Sequence, residues 1–217
     1  MRLLGKTEVL KASGIAALLT GAAVYPRLSI WKQLQDNLFS SLMIFAWCIF
    51  VLWAFVFAWH KEYSKREVFR FDVSLRGWIG VTALGVAAML SMRFFLDPGF
   101  REIAPWSYPV SFAEWIATTL LSVVFGPLFL IFAPLAFFLR LTRRIPVSVV
   151  LTVLLGVSVM MLRFAAMAGS QDPSHLAWLA LMFVVQSTIA LALYLRGGVF
   201  VVWWFLTLIQ LRHLPDY

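Results

Sequence analysis

Charge is what this sequence has least of. Asp, Glu, Lys and Arg make up 13% of its 217 residues, where a soluble domain carries about 25%. That deficit excludes a water-soluble globule, because too few polar side chains exist to cover one. The 62% of hydrophobic residues excludes a disordered chain. Cysteine occurs once, so neither an intrachain disulfide nor a four-cysteine metal site is available. Cys48 itself is expected as a small buried apolar residue. The three histidines, His60, His175 and His213, stand at the ends of apolar runs, and the 10 acidic residues fall in loops, tails or first turns. No run carries a carboxylate or an imidazole at its centre, where an ionised group costs about 2.5–3.5 kcal/mol on insertion scales. Metal hydrolysis within the membrane, proton or sodium coupling and bis-histidine haem binding use such groups at depth, so none is expected.

What is there is a series of apolar windows. They fall at 12–24, 39–59, 78–95, 115–139, 147–162, 176–194 and 199–211. The fold class they predict is all-α: a polytopic transmembrane helix bundle of six or seven spans, with no soluble domain. The whole chain reads as one integral membrane domain, with an N-terminal three-helix part (1–114) and a four-helix part (115–217). Arg2, Lys6 and Lys11 before the first window resemble a signal peptide, but the segment is read as the first membrane helix, ending at Tyr25-Pro26-Arg27. The last window is short against the roughly 20 residues a span needs. A short span, a re-entrant helix and a buried extension all fit it.

Local signals place the helix starts. Ser111 and Glu114 have capping-box spacing. Asp172-Pro173 reads as an N-cap followed by proline at the first helical position, and Pro146 suits the start of the fifth span. Ser13, Ala17 and Gly21, and again Ala83, Ala87 and Ser91, form small-residue faces suited to close helix contact. Pro127 and Pro134 should kink the fourth span by freeing the carbonyls of Val123 and Leu130. Residues 96–109 read as a structured loop with Trp106 and Tyr108 at the interface.

The formal net charge of +8 sits in short connecting segments, so it signals orientation and attraction to anionic lipid rather than nucleic acid. With the N-terminus in the cytoplasm and seven crossings, twelve of the 18 Lys and Arg fall inside and six outside. A bacterial inner-membrane protein with its N-terminus cytoplasmic is the expectation. Arg93, Arg101 and Arg163 fall on one face and are candidates for an anion or lipid-headgroup pocket. The bland alternatives are a local ion pair of Arg93 with Asp97 and a snorkelling Arg163. His60 is a candidate interfacial pigment ligand, and Gln186 an interhelical hydrogen-bonding residue.

The second half has a recognisable order. A proline-containing helix with Phe125-Gly126-Pro127-Leu128-Phe129 runs into a basic turn, Arg140 to Arg144. Later comes Tyr194-Leu195-Arg196-Gly197-Gly198 before a short final helix. Over residues 115–211 this resembles the CPBP family, the CAAX-type prenyl-protein endopeptidases and bacteriocin-processing membrane proteins. The family's Glu-Glu-x-x-x-Arg motif would fall on Leu130, Ile131 and Leu135, and its Phe-x-x-x-His and His-x-x-x-Asn/His motifs have no counterpart. The resemblance therefore implies a degenerate, non-catalytic relative with no catalytic or metal-binding residue to carry over.

The expected function is a non-enzymatic scaffold or accessory subunit of a larger membrane complex. It would bind lipid, a carotenoid or chlorophyll-type pigment, or partner helices through aromatic faces that include Trp47, Trp53 and Trp203-Trp204. No cofactor is required by any motif. A divergent intramembrane peptidase is the first alternative, and a small transporter the second.

Overall fold

The computed structural model describes residues 6–30, 37–103, 105, 108–168 and 173–216. Among them there is no strand. The chain is an all-α bundle with six helices long and apolar enough to cross a membrane, which makes it a multi-pass membrane protein by length and composition. The first five are α1 (Lys6–Ile30), α2 (Leu38–Ser64), α3 (Leu75–Arg101), α4 (Phe112–Thr142) and α5 (Ile145–Ala168). The last helical run, Pro173–Gln210, breaks at Gly198 into α6 (173–197) and α7 (199–210).

Gly198 has φ 76° and ψ −169°, a backbone region essentially reserved for glycine. The turn there is held by the connection between α2 and α3. Val199 N–H donates to the Val68 carbonyl at 3.0 Å. Arg66 donates to the Leu195 carbonyl, and Arg70 to that of Arg196 at 2.8 Å. A Cβ on Gly198 would lie 2.7 Å from the Val68 oxygen, and one on Gly197 would lie 2.6 Å from a Val201 methyl. Gly198 needs glycine for conformation and for close approach, Gly197 for close approach alone.

The other end of α7 meets different partners. Trp115, at the start of α4, donates to the Gln210 carbonyl at 3.0 Å, and Arg93, late in α3, donates to the Arg212 carbonyl at 2.8 Å. Arg70 precedes α3 and Arg93 closes it, so α7 returns through the whole bundle alongside α3. The short final window is thus a return alongside α3; by length and composition six helices can cross a membrane, with α6 and α7 counted as one run. The α7 length of about 18 Å at 1.5 Å per residue is less than the roughly 30 Å hydrocarbon core. The shortfall is tolerated because α7 is interior: Val199, Val201, Val202, Phe205, Leu206 and Ile209 are buried. They join Trp53 of α2, Phe132 and Leu135 of α4 and Tyr194 of α6 in one apolar core. First-half α3 packs on second-half α7, so the two parts of the chain interlock as one bundle.

Several local expectations need correction. Helix α1 does not stop at Pro26 but runs to Ile30. Leu28 is buried, and Arg27 donates to Glu114 of α4 at 2.9 Å, so contacts beyond the proline outweigh the lost backbone bond. Its packed face is Ser13, Ala16, Thr20 and Val24; a Cβ on Gly21 would meet nothing within 4 Å. On α3 the residues Ala83, Ala87 and Ser91 face outward, and the close approach is at Gly85, where a Cβ would sit 2.7 Å from Leu208. Cys48 is exposed, on the outer face of α2. Gln186 is half-buried and forms no hydrogen bond among the described residues.

The prolines of α4 are accommodated by two π turns, Leu121–Phe125 and Leu128–Phe132. There the N–H of Gly126 reaches the Leu121 carbonyl and that of Ala133 the Leu128 carbonyl, so wider backbone bonds stand where the prolines donate none. Ser111 caps α4 by accepting from Glu114 N–H at 3.2 Å, while the Glu114 carboxylate accepts from Val110 N–H, one residue before the cap. Pro146 is the second residue of α5, and Pro173 opens α6. Asp172 and Trp106 lie outside the described residues.

Candidate functional site

Two polar clusters occupy opposite ends of the bundle. The first is built on the continuation of α3. Residues 96–103, expected as loop, stay helical: a π turn at Met92–Leu96, closed by the Asp97 N–H on the Met92 carbonyl, leads through Pro98 into Asp97–Ile103. This places Asp97 inward, at 3% exposure. The Tyr108 hydroxyl donates to Asp97 Oδ1 at 2.9 Å, and the Arg212 guanidinium lies 3.6 Å from the same oxygen. Arg212 Nε donates to His213 Nε2 at 3.0 Å, which leaves the neutral imidazole its proton on Nδ1. The Tyr108 and His213 rings meet edge to face with centroids 5.0 Å apart, and Arg101 lies 4.8 Å over the Tyr108 ring. Burial, and then the Asp97 charge, raise Tyr108 far above the ordinary phenol range, so it stays a donor.

Asp97 Oδ2 and His213 Nδ1 are both buried without a hydrogen-bond partner among the described residues. A carboxylate and an imidazole thus converge on one tyrosine and one arginine, at a bundle end rather than at mid-depth. No span centre gains a titratable group by this, but Asp97, expected in a loop, and His213, expected at a span end, are both buried. Asp97 reaches the interior because α3 continues past Leu96, and His213 because α7 returns. The expected Arg93–Asp97 ion pair does not form, since Arg93 turns to the Arg212 carbonyl. Of the three arginines read as a pocket, Arg93 and Arg101 reach this end on α3. Arg163 is exposed on α5 and makes no hydrogen bond or ion pair among the described residues. Arg212 takes the third place instead.

The second cluster lies under the Gly198 turn. His60 closes a π turn, Val56–His60, and is fully buried rather than interfacial. Its ring packs 4.7 Å from that of Tyr194, which packs 4.4 Å from Phe132. Both His60 nitrogens and the Tyr194 hydroxyl lack hydrogen-bond partners among the described residues. A macrocyclic pigment needs an open approach to a ring nitrogen, and this ring has none, so His60 is not placed to ligate one. Around the cluster Arg140 lies 4.4 Å over Trp59, Lys61 pairs with Glu67 at 3.0 Å, and Arg70 grips Asp72 at 3.0 and 2.8 Å. The Arg70 hydrogen bond holds the Asp72 carboxyl below the usual range and raises Arg70 in turn.

Ile131 and Leu135, where a peptidase motif would fall, are buried in the apolar core with Leu130 packed against it. Among the described residues no three His, Cys, Asp or Glu side chains gather to hold a metal. Trp53 is buried and donates to Thr20 at 2.9 Å, so it is core and no docking residue; Trp204 donates to Thr82 at 2.9 Å. Trp47 is 63% exposed and makes no hydrogen bond among the described residues. Comparison with known protein families, with curated proteins and with solved structures finds no match.

Proposed function

We propose that this protein is a non-enzymatic membrane scaffold, an accessory subunit that seats a partner helix against the outer face of α2. The observation that carries the reading is Trp47. It stands ten residues into a 27-residue span, exposed, with its indole N–H unpartnered among the described residues and with Phe39, Met43 and Ile44 on the same outer surface. Tryptophan favours the wet ends of a span, where its N–H finds an acceptor. At mid-depth a neighbouring helix with a hydroxyl or carbonyl supplies that acceptor and lipid does not. On this reading the protein resides in a bacterial inner membrane with its N-terminus cytoplasmic, supported by the twofold bias of Lys and Arg.

Native purification in mild detergent tests it. A co-purifying membrane protein that Trp47→Leu releases is the expected result; a solitary monodisperse protein with nothing bound overturns it. A second reading, a divergent intramembrane peptidase, draws on the convergence of Asp97 and His213 with their orphaned Oδ2 and Nδ1. Stoichiometric zinc in the purified protein would establish that reading and end the scaffold one.

A further inference from the structure

A different surface carries a more specific proposal. The outer face of α3 forms a groove of about 710 Å³ lined by Leu75, Ile79, Ala83, Val86, Ala87 and Leu90, with Trp78 and Thr82 beside them. These residues recur at helical spacing, so the groove runs along one face for about 22 Å. Its lining is almost wholly apolar. One turn beyond Leu90 the same face arrives at Arg93 and Phe94, at the end of the bundle where Arg212 and Arg101 also stand. Phe94 is 67% and Phe95 80% exposed, flanking Arg93 on the outside.

Among the described side chains three guanidiniums gather round one carboxylate. That carboxylate is buried, already engaged by Tyr108 and Arg212. Arg93 spends one nitrogen on the Arg212 carbonyl, and its remaining N–H donors have no acceptor among the described residues. An apolar channel that ends at an arginine with free donors, at span-end depth, matches one kind of molecule. It is an amphiphile with a hydrocarbon tail and a phosphate head.

We propose that α3 carries a binding site for an anionic phospholipid. One acyl chain lies in the Leu75–Leu90 groove, and the phosphate accepts hydrogen bonds from Arg93, with Arg212 adding positive potential behind it. Asp97 takes no part in contact; it fixes Arg212 from below. The site is separate from Trp47, so either assignment can fail without the other.

The test is native mass spectrometry of the full-length protein in detergent, titrated with phosphatidylglycerol, with phosphatidylcholine and with inorganic phosphate. Phosphatidylglycerol should bind about tenfold more tightly than phosphatidylcholine. Arg93→Gln should bring the ratio close to one, and Arg93→Lys should restore most of it. Ala87→Trp, which fills the exposed groove without entering the core, should abolish the adduct while leaving thermal stability unchanged. Equal binding of the two lipids, a preference that survives Arg93→Gln in a folded protein, or displacement of the lipid by inorganic phosphate would each overturn the proposal. The last outcome would mean a free-anion pocket with no role for the groove.

Discussion

Helices α3 and α7 run side by side and make opposite use of their hydrophobicity. The hydrophobic window of α3 is only 11% buried inside the protein, while that of the α6–α7 run is 56% buried. Yet α3 extends over 27 residues and α7 over about half as many. A helix on the outside must match the bilayer, because its backbone ends and side chains meet lipid along the full hydrocarbon depth. A helix in the centre meets other helices and needs only to reach the two turns that hold it. Of these two neighbours the shorter is the core.

Substitutions that treat the two helices alike should have opposite outcomes. The largest effect is expected at the hinge that makes α7 interior. Gly198→Val forces a β-branched residue into a left-handed conformation and against the Val68 carbonyl. It should cost about 3 kcal/mol or more, seen as loss of folded protein in a detergent melting assay. Next comes the contact between the helices. Gly85→Leu places its Cβ 2.7 Å from a Leu208 methyl and 3.0 Å from Leu208 Cβ, and should destabilise by about 1–3 kcal/mol. Gly80→Ala, on the same helix but facing open space, should stabilise by about 0.5–1 kcal/mol. Both are read from melting midpoints, and equal shifts of one sign would erase the distinction between inner and outer faces.

Two smaller effects sharpen the picture at its edges. The proton of Tyr108 is held in the folded protein well beyond its ordinary value. The folded state therefore binds the extra proton above pH about 10, and the stability from this end is complete below that pH and falls as pH rises past it. Tyr108→Phe should flatten the alkaline arm of the stability curve. The smallest test is chemical. Cys48 on the lipid-facing side of α2 should react with a membrane-permeant maleimide and resist a charged one, with no change in stability.

The ends of the bundle show how far the sequence could be read. Capping by Ser111 and Glu114, the opening prolines of α5 and α6 and the apolar windows were all visible, because each depends on neighbours within a few residues. The small-residue stripe of α3 does not make the close contact, whereas on α1 Ser13 is buried and Ala17 packs against the core. Spacing alone marks a stripe, and whether Gly85 or Ala87 turns inward depends on which helix arrives. The cluster of Asp97, Tyr108, Arg212 and His213 had only a weak trace, in that counting seven crossings puts all four on one side. Their contacts required α3 to continue through Pro98 and α7 to return to meet it.

Sequence by itself determined that this chain is a membrane-embedded helical bundle, since burying backbone polar groups in hydrocarbon leaves few alternatives once charge is so scarce. It also held the Gly197-Gly198 pair that permits the reversal. Tertiary structure alone decided which apolar stretches face lipid and which face each other. In a bilayer both surroundings are equally apolar, so hydrophobicity cannot separate them, and only packing does.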